Sequence, residues 1–199
     1  MKHDVLEDLN LSAYRRIMII GAPGSGKSRA ARRLASITGL PLIHLDNEYW
    51  LPDNRHVEGE EWQSRVAGLA EGESWIIDGN YSGTMEIRLC RAELAVCLDP
   101  PPLVSLMGVL SRRGKPRPDM PDHFVEKLNR DYLDYLEFCI YSLTFRRRKL
   151  PQVLRLCEMH PEVPLLHLKS RAQTDAFLDA AERELKNINN SQENNKDEQ

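Results

Sequence analysis

Short apolar runs alternate with amphipathic stretches along this chain. Five runs have the length and bounding residues of buried strands, and they are Ile17–Ile20, Leu42–Leu45, Trp75–Ile77, Leu94–Leu98 and Leu165–Leu168. Between them, apolar residues recur at helical spacing, as Ala30, Leu34 and Ile37 do. This alternation predicts an α/β fold with a doubly wound, parallel, five-stranded sheet in three layers. The third and fourth strands are expected to flank the first.

The predicted helices differ in how clearly their ends are marked. Gly39 is predicted to end the first helix as a C-cap, and Ser170 to begin the last. The other predicted helices are Glu60–Ala70, a short one at Thr84–Ala92, a long one from Pro121 to the basic cluster Arg146–Lys149, and one at Pro151–Glu158.

The chain divides into an N-terminal arm (residues 1–14), one domain (residues 15–186) and a C-terminal tail (residues 187–199). Ile188 is the single apolar residue of the tail, so this part has too little apolar surface to form a core. The tail is therefore predicted to be disordered.

The turn between the first strand and the first helix contains the most specific motif. Residues Gly21–Ser28 read GAPGSGKS and fit the phosphate-binding loop pattern G-x-x-x-x-G-K-[ST] at every fixed position. Gly24 and Gly26 allow backbone turns in which successive N–H groups point at a polyphosphate. Lys27 is expected to reach the β- and γ-phosphates and Ser28 to bind Mg²⁺, so the motif predicts Mg–ATP binding. The predicted nucleotide-binding residues are Gly21, Gly24, Ser25, Gly26, Lys27, Ser28 and Arg29.

Three predicted strands are followed by an aspartate. Parallel strands bring their carboxyl ends to one edge of the sheet, so Asp46 and Asp78 are both expected beside the phosphate loop. Asp78 directly follows an apolar strand and is our candidate Mg²⁺ carboxylate. Asp46 is a candidate for orienting Mg²⁺ or holding the acceptor, with helix capping as the alternative. Asp99 precedes three prolines, which favours a structural turn.

Tyr49 and Trp50 follow Asp46 closely and have two interpretations. They are candidates for one wall of an acceptor pocket, although packing in the hydrophobic core accounts for them equally well. His44 is interpreted as a strand side chain with a satisfied hydrogen bond rather than as a catalytic base.

A basic segment at residues 111–121 is predicted to be a short lid. It carries four positive charges within six residues, and its glycine and prolines prevent a continuing helix. Phosphoryl transfer requires positive charge around the migrating group, and a mobile lid supplies it while excluding water. A solvated basic loop is the alternative. The predicted catalytic residues are Lys27, Asp78, Arg112, Arg113 and Arg117.

Composition narrows the class of protein. A chain of 199 residues, 41% hydrophobic and 29% charged, can bury a substantial core as one domain or one with a modest insertion. The formal net charge of −3 argues against a strongly cationic nucleic-acid binder.

The four cysteines form no C-x-x-C pair and are interpreted as thiols in a reducing cytoplasm. The N-terminal segment has acidic residues and no continuous apolar region, so neither a signal peptide nor a membrane anchor is predicted.

Four stretches of the sequence resemble one family of bacterial proteins. They are the phosphate loop, Leu40–Asp46, Trp75–Thr84 and Arg112–Met120. Together they resemble the bacterial DNA topology modulation proteins, which are adenylate-kinase-like P-loop proteins, over roughly residues 15–186. The phosphate loop is common to many families, whereas D-G-N-Y-S-G-T combined with R-R-G-K-P-R-P-D-M is much more specific.

The resemblance implies a P-loop NTPase of the nucleoside-monophosphate-kinase type with a short lid. Asp78 and Gly79 then match the Asp-Gly pair that follows the third strand in adenylate kinases. In those enzymes the acid helps to place magnesium, and a neighbouring arginine grips the acceptor phosphate. Ser82 occupies that arginine's position here, so AMP is not specified as the acceptor, and Arg88 is the candidate replacement. The predicted acceptor contacts are Asp46, Tyr49 and Arg88.

Two functions remain open on the sequence alone. One is an ATP-dependent kinase acting on a small acceptor, with a nucleotide as one candidate. The other is a switch that binds and slowly hydrolyses ATP while regulating a partner or DNA. Two carboxylate-ended strands and an arginine-rich lid favour the kinase, because a switch needs no acceptor pocket. The sequence contains no recognisable helix-turn-helix, zinc-finger or RNP signature, which disfavours direct DNA binding.

Overall fold

The five predicted strands are present in a computed structural model, which describes residues 10–51, 55–113 and 132–197. The strands are β1 (Arg16–Gly21), β2 (Leu42–His44), β3 (Trp75–Asp78), β4 (Leu94–Leu98) and β5 (Leu165–Leu168). The helices are α1 (Lys27–Thr38), α2 (Leu45–Tyr49), α3 (Gly59–Ala70), α4 (Met85–Leu89), α5 (Pro102–Leu110), α6 (Tyr132–Arg148), α7 (Leu150–Glu158) and α8 (Arg171–Asp197). Short 3₁₀ turns lie at Leu11–Ala13 and Ser82–Thr84.

The strands form one parallel sheet in the order β2-β3-β1-β4-β5. As predicted, β3 and β4 flank β1, since Ile17 pairs with Ile76 on one side and Leu94 on the other. Asp78, the last residue of β3, pairs with a residue of β1 and with His44 of β2. The carboxyl ends of the strands therefore share one edge, and β1 delivers the phosphate loop to the middle of it.

Alternating residues of β1 point into two separate hydrophobic cores. Ile17 and Ile19 are buried with residues of α1 and α8, whereas Met18 and Ile20 are buried with residues of α3, α4 and α7. A strand in the middle of a parallel sheet has two apolar faces, and each needs a cover. Helices on both faces give the three layers that the sequence predicts.

Two predicted boundaries near the site are wrong. β2 ends at His44, and Leu45 begins α2 instead of ending the strand. Asp46 and Glu48 lie in the first turn of α2, where negative charge stabilises a helix. In place of one helix over residues 84–92, a 3₁₀ turn leads into α4, which ends at Leu89.

The C-terminal end also differs from its prediction. Ser170 caps α8 as expected, because its Oγ accepts a hydrogen bond from the Gln173 N–H (3.1 Å). The helix then continues to Asp197, although the sequence predicts disorder from Asn187 onward. The helix persists because the final residues include no glycine or proline that would end it. With Ile188 as its single apolar residue, this last part lacks a surface for packing against the domain.

The structure covers part of the predicted lid. Arg112 and Arg113 lie in a turn after α5, whereas Arg117 and the predicted helix start at Pro121 lie outside the described residues. The four cysteines are free thiols, of which Cys90 is exposed and the others are buried. Within residues 10–51, 55–113 and 132–197, no helix is long and apolar enough to cross a membrane.

Candidate active site

The phosphate loop joins β1 to α1 with a backbone that glycine alone fits at two positions. Gly21 has a φ of 145°, and a Cβ atom there would lie 2.2 Å from the Leu98 carbonyl oxygen. Gly24 has a φ of 78°, and its Cβ atom would lie 2.0 Å from the Ser105 carbonyl oxygen. In turn, a Cβ atom on Gly108 of α5 would lie 2.2 Å from the Gly24 carbonyl oxygen. Left-handed backbone and close approach together fix the loop against β4 and α5.

Two polar side chains from distant parts of the sequence also hold the loop. Asn80, which follows β3, accepts a hydrogen bond from the Gly21 N–H (3.0 Å) and donates one to the Gly21 carbonyl (2.8 Å). Ser142 of α6 is buried and donates to the Pro23 carbonyl (2.9 Å). These bonds fix the loop backbone through side chains from β3's carboxyl end and from α6.

The predicted nucleotide-binding side chains lie at the amino end of α1. This helix begins at Lys27, so the N–H groups of its first turn, which lack helical partners, face the loop. The Lys27 Nζ donates to a carbonyl of the loop (3.1 Å), and Ser28 lines the same cleft. Ser25 is buried, and Arg29 pairs with Asp175 of α8 (2.6 Å). A cation, a hydroxyl and backbone donors at one helix end suit a polyphosphate.

The loop lines a cleft of about 520 Å³. Many other lining residues come from the carboxyl ends of β2 and β3, the end of α5, the middle of α6 and the start of α7, and Asp46 comes from α2. Asp46 and Asp78 both line the cleft, whereas Asp99 is not among the described residues that do. The fold thus brings the phosphate loop and two carboxylates to one cavity, as the sequence predicts.

Asp78 is the better placed of these carboxylates for a metal. It is 5% exposed, and its Oδ2 lies 3.0 Å from Nδ1 of His44. Its Oδ1 is buried and has no hydrogen-bond partner among the described residues. Such an oxygen is costly to bury unless a ligand binds it. With the Ser28 hydroxyl in the same cleft, it fits Mg²⁺, which uses one or two protein oxygens together with phosphate oxygens and water.

The phosphate oxygens are essential to that fit. Across the described residues, no group of three or more His, Cys, Asp or Glu side chains could hold a metal ion without them. The expected ion is therefore one that arrives with the nucleotide.

Asp46 is held by a residue that the sequence analysis missed. The Tyr81 hydroxyl donates a 2.7 Å hydrogen bond to Asp46 Oδ1. Burial and the Asp46 carboxylate both raise the pKa of Tyr81, so its hydroxyl remains protonated and acts as the donor. His44 occupies the N-cap position of α2 and Asp46 lies inside the first turn, so the structure disfavours the capping alternative.

Tyr49 belongs to an aromatic cluster and is not among the described residues that line the cleft. Its ring centroid lies 4.8 Å from that of Tyr81, 5.1 Å from Trp62 and 5.0 Å from His56. Of the two interpretations, the structure favours packing over direct contact with an acceptor. Tyr49 instead supports the ring of Tyr81, which does line the cleft.

The structure contradicts an acceptor contact from Arg88, whose side chain is fully buried. Its guanidinium donates to four backbone carbonyls, which belong to Gly79 (2.8 Å), Asn80 (2.6 Å), Tyr81 (3.2 Å) and Thr84 (3.4 Å). Burial lowers the pKa of Arg88 to about 10, against the opposing effect of Asp78. Arg88 therefore shapes the loop after β3, because its donors are directed at that backbone.

Asp99 has a structural role, although it acts through an ion pair with Arg146 and a contact with His167 rather than through the predicted turn. It is 4% exposed, and its Oδ2 lies 3.3 Å from Nε of Arg146 and 3.2 Å from Nε2 of His167. These contacts tie the end of β4 to α6 and β5.

The two described lid arginines have different surroundings. Arg112 lines the cleft, and its Nε donates to the Gly108 carbonyl (3.1 Å). Arg113 is not among the described lining residues, and its guanidinium carbon lies 4.5 Å from the centroid of the Tyr135 ring, a cation–π contact. The Arg112 side chain therefore lies at the candidate site, whereas the Arg113 side chain packs against Tyr135 of α6.

Three residues that organise the site escaped the sequence analysis: Asn80, Tyr81 and Ser142. Asn80 and Tyr81 belong to the D-G-N-Y-S-G-T stretch, so a signal for them existed in the motif itself. Ser142 has no local signal, because it lies 119 residues from the loop carbonyl that it binds.

No protein-family model and no curated protein sequence matches this chain. Solved structures do match it. A shikimate kinase from Acinetobacter baumannii in complex with shikimate has a TM-score of 0.53 and 18% identity, covering 88% of this chain and 96% of its own. A shikimate kinase from Bacteroides thetaiotaomicron has a TM-score of 0.49 and 19% identity, covering 87% and 99%. A gluconokinase from Sinorhizobium meliloti has a TM-score of 0.48 and 16% identity, covering 89% and 97%.

At these identities, similarity to the first of these structures shows the fold alone. The chain is an α/β protein with the fold of P-loop kinases, built on a five-stranded parallel sheet. The phosphate loop lies after the first strand of this sheet, at the amino end of α1.

Proposed function

We propose that this protein is an ATP-dependent phosphotransferase that moves the γ-phosphoryl group of Mg–ATP to a small acceptor. One observation supports it above others: Lys27 and Ser28 of the phosphate loop share one cleft with the carboxylates of Asp46 and Asp78. A protein that only binds or hydrolyses Mg–ATP needs the loop and one magnesium carboxylate, but no second carboxylate at the neighbouring strand end. The carboxylates therefore favour transfer over binding alone.

The phosphate loop binds the nucleotide in this proposal. Its N–H groups and those of the first turn of α1 donate to phosphate oxygens, and Lys27 offsets their charge. Ser28 and Asp78 hold Mg²⁺, which neutralises phosphate charge when bound. Arg112, which lines the cleft, contributes a further positive charge, and the sequence predicts another from Arg117. These effects are electrostatic and are strongest where the cleft excludes water.

Asp46 orients the acceptor. Its bond from Tyr81 fixes the carboxylate, so a hydroxyl acceptor meets a group that already has the correct orientation. The acceptor oxygen forms a bond to the γ-phosphorus while the bond from phosphorus to the β–γ bridging oxygen breaks. ADP leaves, and the hydroxyl proton passes to water.

Other parts of the sequence interpretation also remain proposals. They are membership of the DNA topology modulation family, the domain limits at residues 15 and 186, and a cytoplasmic location. Free thiols at all four cysteines support the last of these, since the cytoplasm keeps thiols reduced.

The test is a transfer assay on the full chain with γ-labelled ATP and a panel of nucleoside monophosphates, sugar acids and hydroxylated aromatic acids. We expect a labelled product from wild type, its loss in Lys27→Ala or on magnesium chelation, and an unchanged melting temperature for that variant. Lys186→Ala removes a surface cation paired with Glu182 and should react at the wild-type rate.

Two outcomes would count against the proposed function or its site. Product formation at the wild-type rate in folded Lys27→Ala would show that the loop is not the site. ATP hydrolysis that no acceptor changes, with no labelled product, would support the ATP-hydrolysing switch instead.

A further inference from the structure

Helix α6 gives the cleft an aromatic surface. Phe138, Tyr141 and Phe145 occupy one helical face, and all three line the cleft. Phe138 is 36% exposed and Tyr141 37% exposed, whereas Phe145 is buried behind them. The rings of Tyr141 and Phe145 meet edge to face, with centroids 5.9 Å apart. Exposed rings supported by a buried one suit a flat apolar group.

Helix α7 extends this surface and adds one positive charge. Gln152, Val153 and Leu156 line the cleft, and so does Lys149, which directly precedes the helix. Their spacing places them on one face of α7. Within the described part of the chain, the Lys149 ammonium has no carboxylate partner. A cation in this position suits an anionic group of a ligand.

The same surface is unsuited to a polyhydroxylated molecule. Its hydrogen-bonding side chains, among the described residues of α6 and α7 and the lysine between them, are Tyr141, Lys149 and Gln152. Hydroxyl groups placed against Phe138, Val153 or Leu156 would lose water without gaining a partner. Each such loss would weaken binding by about tenfold.

The polar groups for reaction lie on other elements. Asp46 is oriented by Tyr81, and Asp78 lies beside His44, so both carboxylates belong to the strand-end edge of the cleft. A molecule that spans the cleft therefore meets carboxylates from α2 and β3 and an apolar, positively charged surface from α6 and α7.

We infer that the acceptor is an aromatic anion that carries a hydroxyl group. Its ring lies on Phe138 and Tyr141, its anionic group meets Lys149, and its hydroxyl is directed to Asp46. Transfer forms the bond between that hydroxyl oxygen and the γ-phosphorus of ATP, with ADP as the leaving group and the proton passing to water. This inference rests on the proposed function for the reaction, but the binding it describes can be measured without turnover.

The first experiment measures binding to the full chain by saturation-transfer-difference NMR. The probes are 4-(hydroxymethyl)benzoate, 4-methylbenzyl alcohol, which lacks the anion, and gluconate, which lacks the ring. We expect the first to bind at least about tenfold more tightly than either of the others, since each lacks one contact. Equal binding of all three, tighter binding of gluconate, or no binding of the first would overturn the inference.

Two variants test whether Lys149 contacts the anionic group of the ligand and whether Phe138 contacts its ring. Lys149→Ala should reduce affinity for 4-(hydroxymethyl)benzoate about tenfold and leave 4-methylbenzyl alcohol unchanged, while Phe138→Ala should weaken both. Arg148→Ala, an exposed cation one residue away, and Leu133→Ala, an exposed apolar residue of α6, are matched controls expected to bind as wild type. If the controls weaken binding as much as the test variants, the assignment is wrong.

A phosphoryl-transfer assay with the same probes distinguishes failure of this inference from failure of the proposed function. Phosphorylation of gluconate in preference to 4-(hydroxymethyl)benzoate would keep the kinase and reject the aromatic acceptor. Selective binding of the aromatic acid, with no labelled product from any probe, would keep the binding site and reject transfer.

Discussion

The hydroxyl of Tyr81 donates a 2.7 Å hydrogen bond to Oδ1 of Asp46, which connects the loop after β3 to α2. Tyr81 reaches this position from a left-handed backbone with a φ of 31°, which is unfavourable for a tyrosine. Arg88 and Thr84 both bind its carbonyl, and Tyr49 and Trp62 pack on its ring. The surrounding structure thus holds a strained residue so that its hydroxyl orients a carboxylate in the cleft.

Tyr81→Phe should lower kcat/KM for phosphoryl transfer by about tenfold or more, because a hydrogen bond to a charged group is worth about 1.5–3 kcal/mol. The ring packing remains, so the ATP affinity should stay within about twofold of wild type. Steady-state kinetics and ATP titration check this. Tyr14→Phe, in the core on the opposite face of the sheet, is the control. An unchanged kcat/KM in Tyr81→Phe would show that orientation of Asp46 does not matter.

Asp78→Asn should raise the magnesium concentration needed for half-maximal activity by about tenfold, because an amide oxygen is a weaker ligand than a carboxylate. Asp99→Asn should leave that concentration unchanged and instead lower the melting temperature, since it weakens the contacts with Arg146 and His167. Magnesium titrations and thermal unfolding of both variants show which of the two aspartates serves magnesium and which stabilises the fold. The reverse pattern would mean that the two acids have exchanged roles.

Arg112→Ala should lower turnover by about 10², the effect of losing one strong electrostatic contact. Arg113→Ala should have a much smaller effect on turnover, because its guanidinium lies over Tyr135. Removing that cation–π contact should cost about 0.5–1 kcal/mol of unfolding free energy. Turnover and denaturant unfolding are measured for each. A larger turnover loss in Arg113→Ala would favour the lid as the sequence predicts it.

Gly108→Ala should weaken ATP binding, because its Cβ atom would lie 2.2 Å from the Gly24 carbonyl oxygen and displace the phosphate loop. The overpacking should also cost about 1–3 kcal/mol in stability. Gly68→Ala in α3 has nothing within 4 Å of the added atom and should stabilise the protein by about 0.5–1 kcal/mol. Wild-type ATP affinity in Gly108→Ala would show that the loop tolerates movement of α5.

Arg88→Lys should reduce the free energy of unfolding by about 2–4 kcal/mol, because one ammonium cannot reach the carbonyls that the planar guanidinium spans. Arg91→Lys nearby should be neutral, since Arg91 is exposed and makes one long hydrogen bond (3.5 Å). Denaturant unfolding measures both. A stable Arg88→Lys protein with a raised KM for the acceptor would restore the contact that the sequence predicts.

The phosphate loop and the two aspartates beside it could be predicted from the sequence. The phosphate loop was predictable because Gly24 and Gly26 meet a backbone requirement that few residues satisfy. The sequence predicted that β3 and β4 flank β1, and the approach of Asp46 and Asp78 followed from the parallel arrangement, which brings strand ends to one edge. A periodic pattern cannot state which side chain an aspartate meets, so the partners Tyr81 and His44 did not follow from it.

Arg88 and Arg113 illustrate what the sequence could not decide. In sequence, Arg88 follows the D-G-N-Y-S-G-T stretch and Arg113 lies in the basic segment, and nothing local separates an arginine in a cleft from one in a core. The sequence by itself determined the sheet, the phosphate loop and the edge at which acids gather. Apolar periodicity and glycine stereochemistry are local, and strands that alternate with helices pair in parallel. Tertiary structure alone decided that Arg88 is buried among carbonyls, that Arg113 rests on Tyr135 and that α6 and α7 line the cleft. Those outcomes depend on which distant surfaces pack together, and burial rather than residue type then decides what each charge can do.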